Sequence, residues 1–415
     1  MLNDQHLFII CTVWPEPLSS AAGSRMMQLI RFFLDRSCRV TLACDAHQTG
    51  YSEDLSTYPI ETVKIGLNDS GFDHQLRELR PSMVLFDRFM TEEKYGWRVA
   101  EQCPEAMRLL DTEDLHCLRK ARQLALKKQQ DVQPLLLQSE IAKREIASIY
   151  RCDLSLIISS YEMELLQAVF KIDPQLLHYI PLLPDPLDQQ EISAWPEYAE
   201  RAHFVSIGNF LHEPNTDAVL YLKETLWPLI RKELPEAELH VYGAYPNDRI
   251  RQLHHEKQGF LIKGRAESAR AVISAARVLL APLRFGAGIK GKLLEAMLCG
   301  TPSVTSSIGA EGMHGDAAWN GYMADEPRAF ASSAVNLYTS VEDWKRAQGQ
   351  GLAILHDVYN TSAHTAAFLE RLAGLRQNLA SHRMSNFTGA MLLHHSLAST
   401  KYMSRWIELK NKAQS

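Results

Sequence analysis

The chain lacks a long apolar run, a paired-cysteine signature and any excess of positive charge, and each absence removes a class of function. No apolar stretch approaches the ~18 residues of a membrane-spanning helix, so no transmembrane helix is expected. Seven cysteines, at positions 11, 38, 44, 103, 117, 152 and 299, are odd in number, scattered and never spaced C-x-x-C. That pattern argues against a disulfide framework and against a zinc site, and fits a reducing cytoplasm. A net charge of −5 offers no basic stripe for a polyanion, so nucleic acid is not an expected partner. The apolar stretch from Leu7 to Val13 has no basic residue before it. It is too short for the core of a secretory signal and reads as a first buried strand.

What is present is an ordinary globular composition, 46 % hydrophobic and 22 % charged over 415 residues. Domains usually span ~100 to 200 residues, so this length implies two. The first half alternates short apolar runs, such as HLFIICTVW, RVTLACD, SMVLFDR, AMRLLDTE and LSLIISS, with helical patterns such as GSRMMQLIRFFLDR. Strands apolar on both faces and separated by amphipathic helices predict a parallel sheet between helix layers, a Rossmann-like domain over residues 1–183. Proline and acidic residues then crowd into PLLPDPLDQQEISAWPEYAE, the composition of a linker, placed at 184–202. After it the alternation restarts through HFVSIGNF, AELHVYGA, GFLIKG, RVLLAPL and PSVTSS, giving a second Rossmann-like domain at 203–378. A helical extension at 379–415 is expected to pack back on the first domain. Two such domains enclose a cleft faced by the C-terminal ends of their strands. Residues from His116 to Tyr150 form a Lys/Gln/Arg-rich helical stretch, read as surface helices with solvated cations. Contact with an anionic membrane surface or an acceptor is the second use of those cations.

The segment RFGAGIKGKLLEAMLCGTPSV, residues 284–304, satisfies two nucleotide-binding patterns. Gly286, Gly288 and Gly291 spell G-x-G-x-x-G, but a dinucleotide fingerprint belongs at the end of its domain's first strand and this one comes after several strands. Glu311, twenty residues beyond Gly291, keeps an NAD-dependent oxidoreductase open as an alternative. Gly286, Gly291 and Lys292 spell most of a phosphate loop, yet Leu293 stands where a magnesium-binding hydroxyl is required. A third reading uses every letter: Arg284, Lys290 and Lys292 surround a glycine turn at the start of a helix from about Lys290 to Cys299. Unpaired N–H groups and the positive dipole end of that helix make the turn a site for a diphosphate. Helical spacing buries Leu293, Leu294, Met297 and Leu298 and places Lys292, Glu295 and Cys299 on another face, with Glu295 in reach of a sugar beside the diphosphate. In the first half, Gly23 and Ser24 follow the first strand and could let backbone approach a phosphate. Asp111, Asp114 and His116 lie at another strand end, and Ser160 reads as a helix cap with Glu162 in the first turn.

With FVSIGNFLHEPNTDAVLYL and AELHVYGAYP before it, ARVLLAPLRFGAGIKGKLLEAMLCGTPSVTSSIGAEGM resembles the nucleotide-binding domain of GT-B glycosyltransferases, specifically the retaining enzymes classed as family 4. The resemblance covers about residues 203–375 and implies two Rossmann-like domains facing a central cleft. It implies transfer of a sugar from a nucleotide-sugar donor to a glycan, lipid-linked or other glycoconjugate acceptor, in cell-surface polysaccharide or glycoconjugate synthesis. In that family an E-x7-E pattern ends in a glutamate that binds ribose, the place of Glu295; its first glutamate falls on Ala287 here. The family's diphosphate-binding arginine and lysine are replaced by GNFLHEPN, with Asn209, His212, Glu213 and Asn215. Arg284 and Lys290 are expected to restore the missing charge. The donor set is then Gly23, Asn209, Arg284, Gly286, Gly288, Lys290, Lys292 and Glu295, and the catalytic set Asp114, His116 and Lys290. No metal and no cofactor beyond the donor substrate are expected, in keeping with the lack of a D-x-D segment. The implied location is the cytoplasm or the inner membrane surface. Loss of the first glutamate also leaves open a catalytically silent scaffold that serves as a binding partner.

Overall fold

Runs of apolar residues become strands covered on both sides. The computed structural model describes residues 5–414, apart from the side chains of 395–398 and 414. Strands β1 (His6–Cys11), β2 (Arg39–Cys44), β3 (Ile60–Lys64), β4 (Met83–Asp87), β5 (Met107–Asp111), β6 (Leu154–Ile157) and β7 (Leu177–Tyr179) form one sheet in the order 3-2-1-4-5-6-7. All its pairings are parallel, with Ile9 facing Leu42 on one side and Leu85 on the other. Leu7 and Ile9 belong to a core with the helix Ala21–Leu34, whereas Phe8 and Ile10 pack with Phe72, Leu76, Tyr95 and Leu118 on the opposite face. Two apolar faces leave no side for water, which is why these strands read as continuous hydrophobic runs.

The second sheet repeats the plan with β8 (Ala202–Ile207), β9 (Leu239–Tyr242), β10 (Phe260–Gly264), β11 (Ala276–Ala281), β12 (Ser303–Thr305) and β13 (Gly321–Met323), in the order 10-9-8-11-12-13 and wholly parallel. Its two faces carry separate cores, one around Phe204, Trp227 and Phe260, the other around Leu279, Leu293 and Met297. Two parallel-sheet Rossmann-like units with strand ends facing one cleft are the architecture expected from the sequence.

The crossing between the units differs in detail from the linker reading. It packs against the second unit along its length: Leu187 lies against the core around Leu279 and Met297, Trp195 packs its ring against Gly300, and the fully buried Arg201 donates to Thr301 Oγ1 at 2.6 Å and to the Cys299 carbonyl at 3.0 Å. The return crossing lies beside the outward one, where Thr361 donates to the Pro184 carbonyl at 2.6 Å. The helix Thr361–Gln377 then places Phe368, Leu372 and Leu375 in the core of the first unit. The chain thus returns one helix before the expected boundary at 378. The helices Leu379–Ser385 and Phe387–Gln414 continue over the first unit, where Arg383 pairs with Asp153 at 2.7 Å.

Candidate active site

Loops that follow the strands of both sheets meet across the cleft. Tyr245, after β9, donates to Glu16, after β1, at 3.1 Å, and its ring meets Tyr51 edge-on with centroids 5.1 Å apart. Gly291 lies so close to Ala21 that a Cβ on it would stand 2.7 Å from the Ala21 Cβ. Gly288 has φ +64°, a left-handed backbone that favours glycine, and a Cβ there would come within 2.7 Å of the Asp114 Cβ. The glycine turn is therefore a point of close interdomain approach.

The helix Gly291–Leu298 follows that turn, with Lys290 at its N-cap and no side-chain cap. Its first N–H groups are not capped by a side chain and suit an anion. Lys292 is half-buried and donates to Asn215 Oδ1 at 2.8 Å, and Asn215 Nδ2 donates to the Asn209 carbonyl at 2.8 Å. A side chain at Gly208 would stand 2.8 Å from Lys292 Nζ, so the absence of one gives this ammonium its room. Lys290 is only 7 % exposed and donates to the Gly288 carbonyl at 2.8 Å. Burial pulls both lysines down to about 8. An entering diphosphate would restore their charge, because an adjacent anion favours the protonated amine.

The remaining donor candidates lie around this pair. Glu295 is on the same helix, about a third exposed, and accepts from Arg270 Nε at 3.1 Å. Gly286 offers its carbonyl to Arg122 at 2.9 Å. Arg284 turns to Asp217, donating from Nε at 2.9 Å, and its guanidinium lies over the Tyr221 ring at 4.7 Å. Its charge is thus already matched outside the Lys290 and Lys292 cluster. Gly23 lies in the first turn of the helix Ala21–Leu34; Ser20 caps that helix and takes the Gly23 N–H at 3.0 Å. The space where its side chain would stand holds the Glu16 backbone, so this glycine serves close packing of loop on helix. Cys299 is 3 % exposed and belongs to the core with Ile273 and Met297, its thiol donating to the Arg270 carbonyl at 3.6 Å.

On the first unit's wall, Asp114 pairs with Arg119 and stands 3.6 Å from His116 Nε2. Burial alone would raise the Asp114 carboxyl, but Arg119, His116 and His212 outweigh it and hold it below the usual carboxylate range. Burial depresses His116 and His212 to about 4, so both imidazoles are neutral near pH 7. His212 comes from the second unit, at the start of the helix Glu213–Tyr221. Deeper in the same wall, Arg25 is 1 % exposed and grips Asp111 with Nε at 2.9 and 3.0 Å. It also donates to the carbonyls of Ile180 and Pro181. Arg88 and Glu113, at neighbouring strand ends, both hold positive φ, +68° and +60°. Such non-glycine conformations cost on the order of 1 to 3 kcal/mol each and concentrate at functional sites.

Sequence reading missed the groups that join the walls. Glu162 stands in the first turn of the helix Ser160–Ala168, as the sequence suggests, but Ser160 is not the cap. Instead Ser159 is the cap residue, and Glu162 Oε1 accepts from the Leu115 N–H at 3.0 Å and from the Gly288 N–H, in the other unit, at 2.9 Å. Burial pushes Glu162 up to about 8, with Asp114 adding to the shift. Arg122 belongs to the basic stretch read as solvated, yet it is 8 % exposed and clasps Glu311 at 2.6 and 2.8 Å. In the helix His116–Lys128, Cys117, Leu118 and Ala121 are buried as well, so that helix is part of the domain core and of the cleft wall. The only signals for Glu162 and Arg122 in the sequence were charges in otherwise amphipathic helices, which surface positions share.

Comparison with known proteins adds a family match in the second unit and a fold match over both. Residues 201–340, a third of the chain, match the family model described as glycosyl transferases group 1. No curated protein sequence matches the chain. Among solved structures, HepE from Anabaena bound to UDP and glucose superposes with a TM-score of 0.66 at 13 % identity, over 89 % of this chain and 100 % of that one. A TarM variant from S. aureus, in complex with fondaparinux, alpha-GlcNAc-glycerol and UDP, gives 0.66 at 10 % identity, over 90 % and 99 %. Sucrose-phosphate synthase from Thermosynechococcus elongatus gives 0.64 at 16 % identity, over 91 % and 100 %. The chain therefore has the two-domain GT-B fold, and its second domain, where Lys290, Lys292 and Glu295 stand, is the part that matches the glycosyl transferases group 1 model.

Proposed function

We propose that the protein transfers a sugar from a nucleotide-sugar donor to a glycan, lipid-linked or other glycoconjugate acceptor, with retention of anomeric configuration. The observation that carries this reading is the half-buried Lys292 ammonium, set between Asn215 and Gly208 at an uncapped helix start inside the cleft. Lys292, Lys290 and the first N–H groups of the helix Gly291–Leu298 hold the diphosphate, and Glu295 exchanges Arg270 for the ribose hydroxyls. Charge that develops on the departing diphosphate meets preorganised cations and N–H dipoles in a site closed to water, so these groups do the work of a divalent ion. The acceptor hydroxyl attacks the anomeric carbon on the face from which the diphosphate leaves. The carbon–oxygen bond to the diphosphate breaks, and the departing phosphate oxygen takes the hydroxyl proton. Neutral His116 and charged Asp114 orient the sugar, and the strained Arg88 and Glu113 backbone shapes the acceptor wall. Cell-surface polysaccharide or glycoconjugate synthesis is the setting we infer.

A panel of UDP-, GDP-, ADP- and CMP-sugars, assayed for nucleoside phosphate release with and without acceptor glycans, tests the reading. Release from one nucleotide class is expected, and loss of that release in Lys292→Ala. A specific observation favours the scaffold alternative: Ala287 offers the donor no carboxylate and packs against the apolar core of the first unit. Nucleotide binding without turnover of any donor would support that alternative against ours.

A further inference from the structure

The helix Phe387–Gln414 turns its polar face inward over its last turns. Ser404, 5 % exposed, accepts from Arg98 Nη2 at 3.1 Å and donates to Asn68 at 2.7 Å. Glu408 pairs with the nearly buried Arg98, and Lys401 with Glu101. On the other side, Tyr402 is 68 % exposed, Met403 59 %, Trp406 59 % and Leu409 68 %. At ~100° per residue these four fall within one band of the helix. Phe387 and Met391 continue the exposed apolar surface toward the helix start, and Met384 lies just ahead of it. A helix that only covered the first unit would present these groups inward, because burial of apolar area is what holds surface helices down. Here ion pairs hold the last turns of the helix, and this apolar band faces out.

Charge on the band decides what covers it. The helix carries Lys401, Arg405, Lys410 and Lys412 against the single acid Glu408, in a chain whose net charge is −5. Lys410 lies over the Trp406 ring at 5.4 Å, and Arg405 and Lys410 are both exposed beside the apolar residues. We propose that this face docks the protein on a lipid bilayer with anionic headgroups, lying in the interface with Trp406, Tyr402 and Leu409 among the acyl chain ends. Trp and Tyr suit that boundary, which takes an apolar ring and leaves its polar edge wet, and cations flanking the band meet the headgroup phosphates. A second copy of the chain fits less well. A two-fold contact sets the same patch against itself, so the cations Arg405 and Lys410 of one copy would be brought against the same cationic patch of the other. The basic helices earlier in the chain are poorer candidates, since Arg119, Arg122, Lys143, Arg144 and Arg151 are all engaged by carboxylates of this chain.

Flotation of the full chain with vesicles tests the assignment, using phosphatidylcholine alone and phosphatidylcholine with phosphatidylglycerol. The chain is expected to float with the anionic vesicles only, and less so as salt rises. Trp406→Ser with Leu409→Ser should weaken that partitioning roughly 30-fold or more, and Arg405→Glu with Lys410→Glu should abolish the preference for anionic lipid. Both pairs alter exposed side chains, and unchanged melting temperatures confirm that the fold persists. Absence of wild-type flotation, equal flotation of the variants, or a wild-type dimer that the serine variant dissociates while no vesicle binding occurs, would each overturn the proposal.

Discussion

At the strand ends of the first sheet stand Asp87, Asp111, Glu113, Asp114 and, one helix turn on, Glu162; at those of the second stand Lys290 and Lys292 over an uncapped helix start. The acidic wall contains its own cations, Arg25 and Arg88. Burial would lower the Arg88 pKa, but the surrounding carboxylates raise it on balance. On the cationic wall Lys292 donates to a neutral amide, Asn215, and among the described residues it forms no ion pair. The first wall therefore holds cations among its carboxylates, whereas Lys292 on the second meets a neutral amide. A diphosphate supplies the anionic partner that Lys292 lacks, whereas the first wall is suited to orienting hydroxyl groups by hydrogen bonds.

Breaking the acidic wall at its centre carries the largest expected effect. Arg25→Met leaves Asp111 buried without its partner, and such losses cost about 3 to 5 kcal/mol. A large drop in melting temperature is expected, with retained nucleotide binding in whatever fraction stays folded. Next, Gly288→Ala forces a Cβ into left-handed backbone at a cost of ~1 to 2 kcal/mol and into the Asp114 Cβ. It should hold the walls apart, visible as a larger radius of gyration in solution scattering, with turnover reduced more than nucleotide affinity.

The pH dependence sharpens the contrast between walls. Lys290 and Lys292 titrate near 8 without ligand, and a bound diphosphate raises them. Below that pH both are charged and affinity is flat. Above it, binding must take up protons, so the dissociation constant should rise by up to about tenfold per pH unit for each lysine. A nucleoside lacking phosphates should show no such rise. The smallest effect belongs to Arg284→Ala, whose pair with Asp217 is exposed. Surface pairs contribute ~0 to 1 kcal/mol, so donor affinity should change little; a large loss would return Arg284 to the diphosphate site.

How far the sequence exposed all this follows from where each contact lies along the chain. Central strands such as β1 and β4 are buried at every position and stood out as apolar runs. Strands β3, β7 and β13 passed unnoticed, since each lies at a sheet edge, covers less and carries exposed or half-buried residues, as Ile60–Lys64 does throughout. The cationic wall was legible because glycine turn, helix start, Lys290, Lys292 and Glu295 are consecutive in the sequence. The acidic wall was not, because its joins are remote: Glu162 reaches Gly288 over a separation of 126 residues and Arg122 reaches Glu311 over 189. Asp114 and His116 were found from their place after β5, while the histidine that completes their group, His212, comes from the other domain.

Calorimetric titration of nucleoside diphosphates into the wild-type chain and into Lys292→Ala tests the central claim most directly. Hydrogen bonds to charged groups contribute ~1.5 to 3 kcal/mol, so the preferred nucleotide should bind the variant roughly 10- to 100-fold more weakly, with the fold intact. Equal affinity for the two proteins, or no binding of any nucleoside diphosphate to the wild type, would contradict the assignment of this cleft as a donor site.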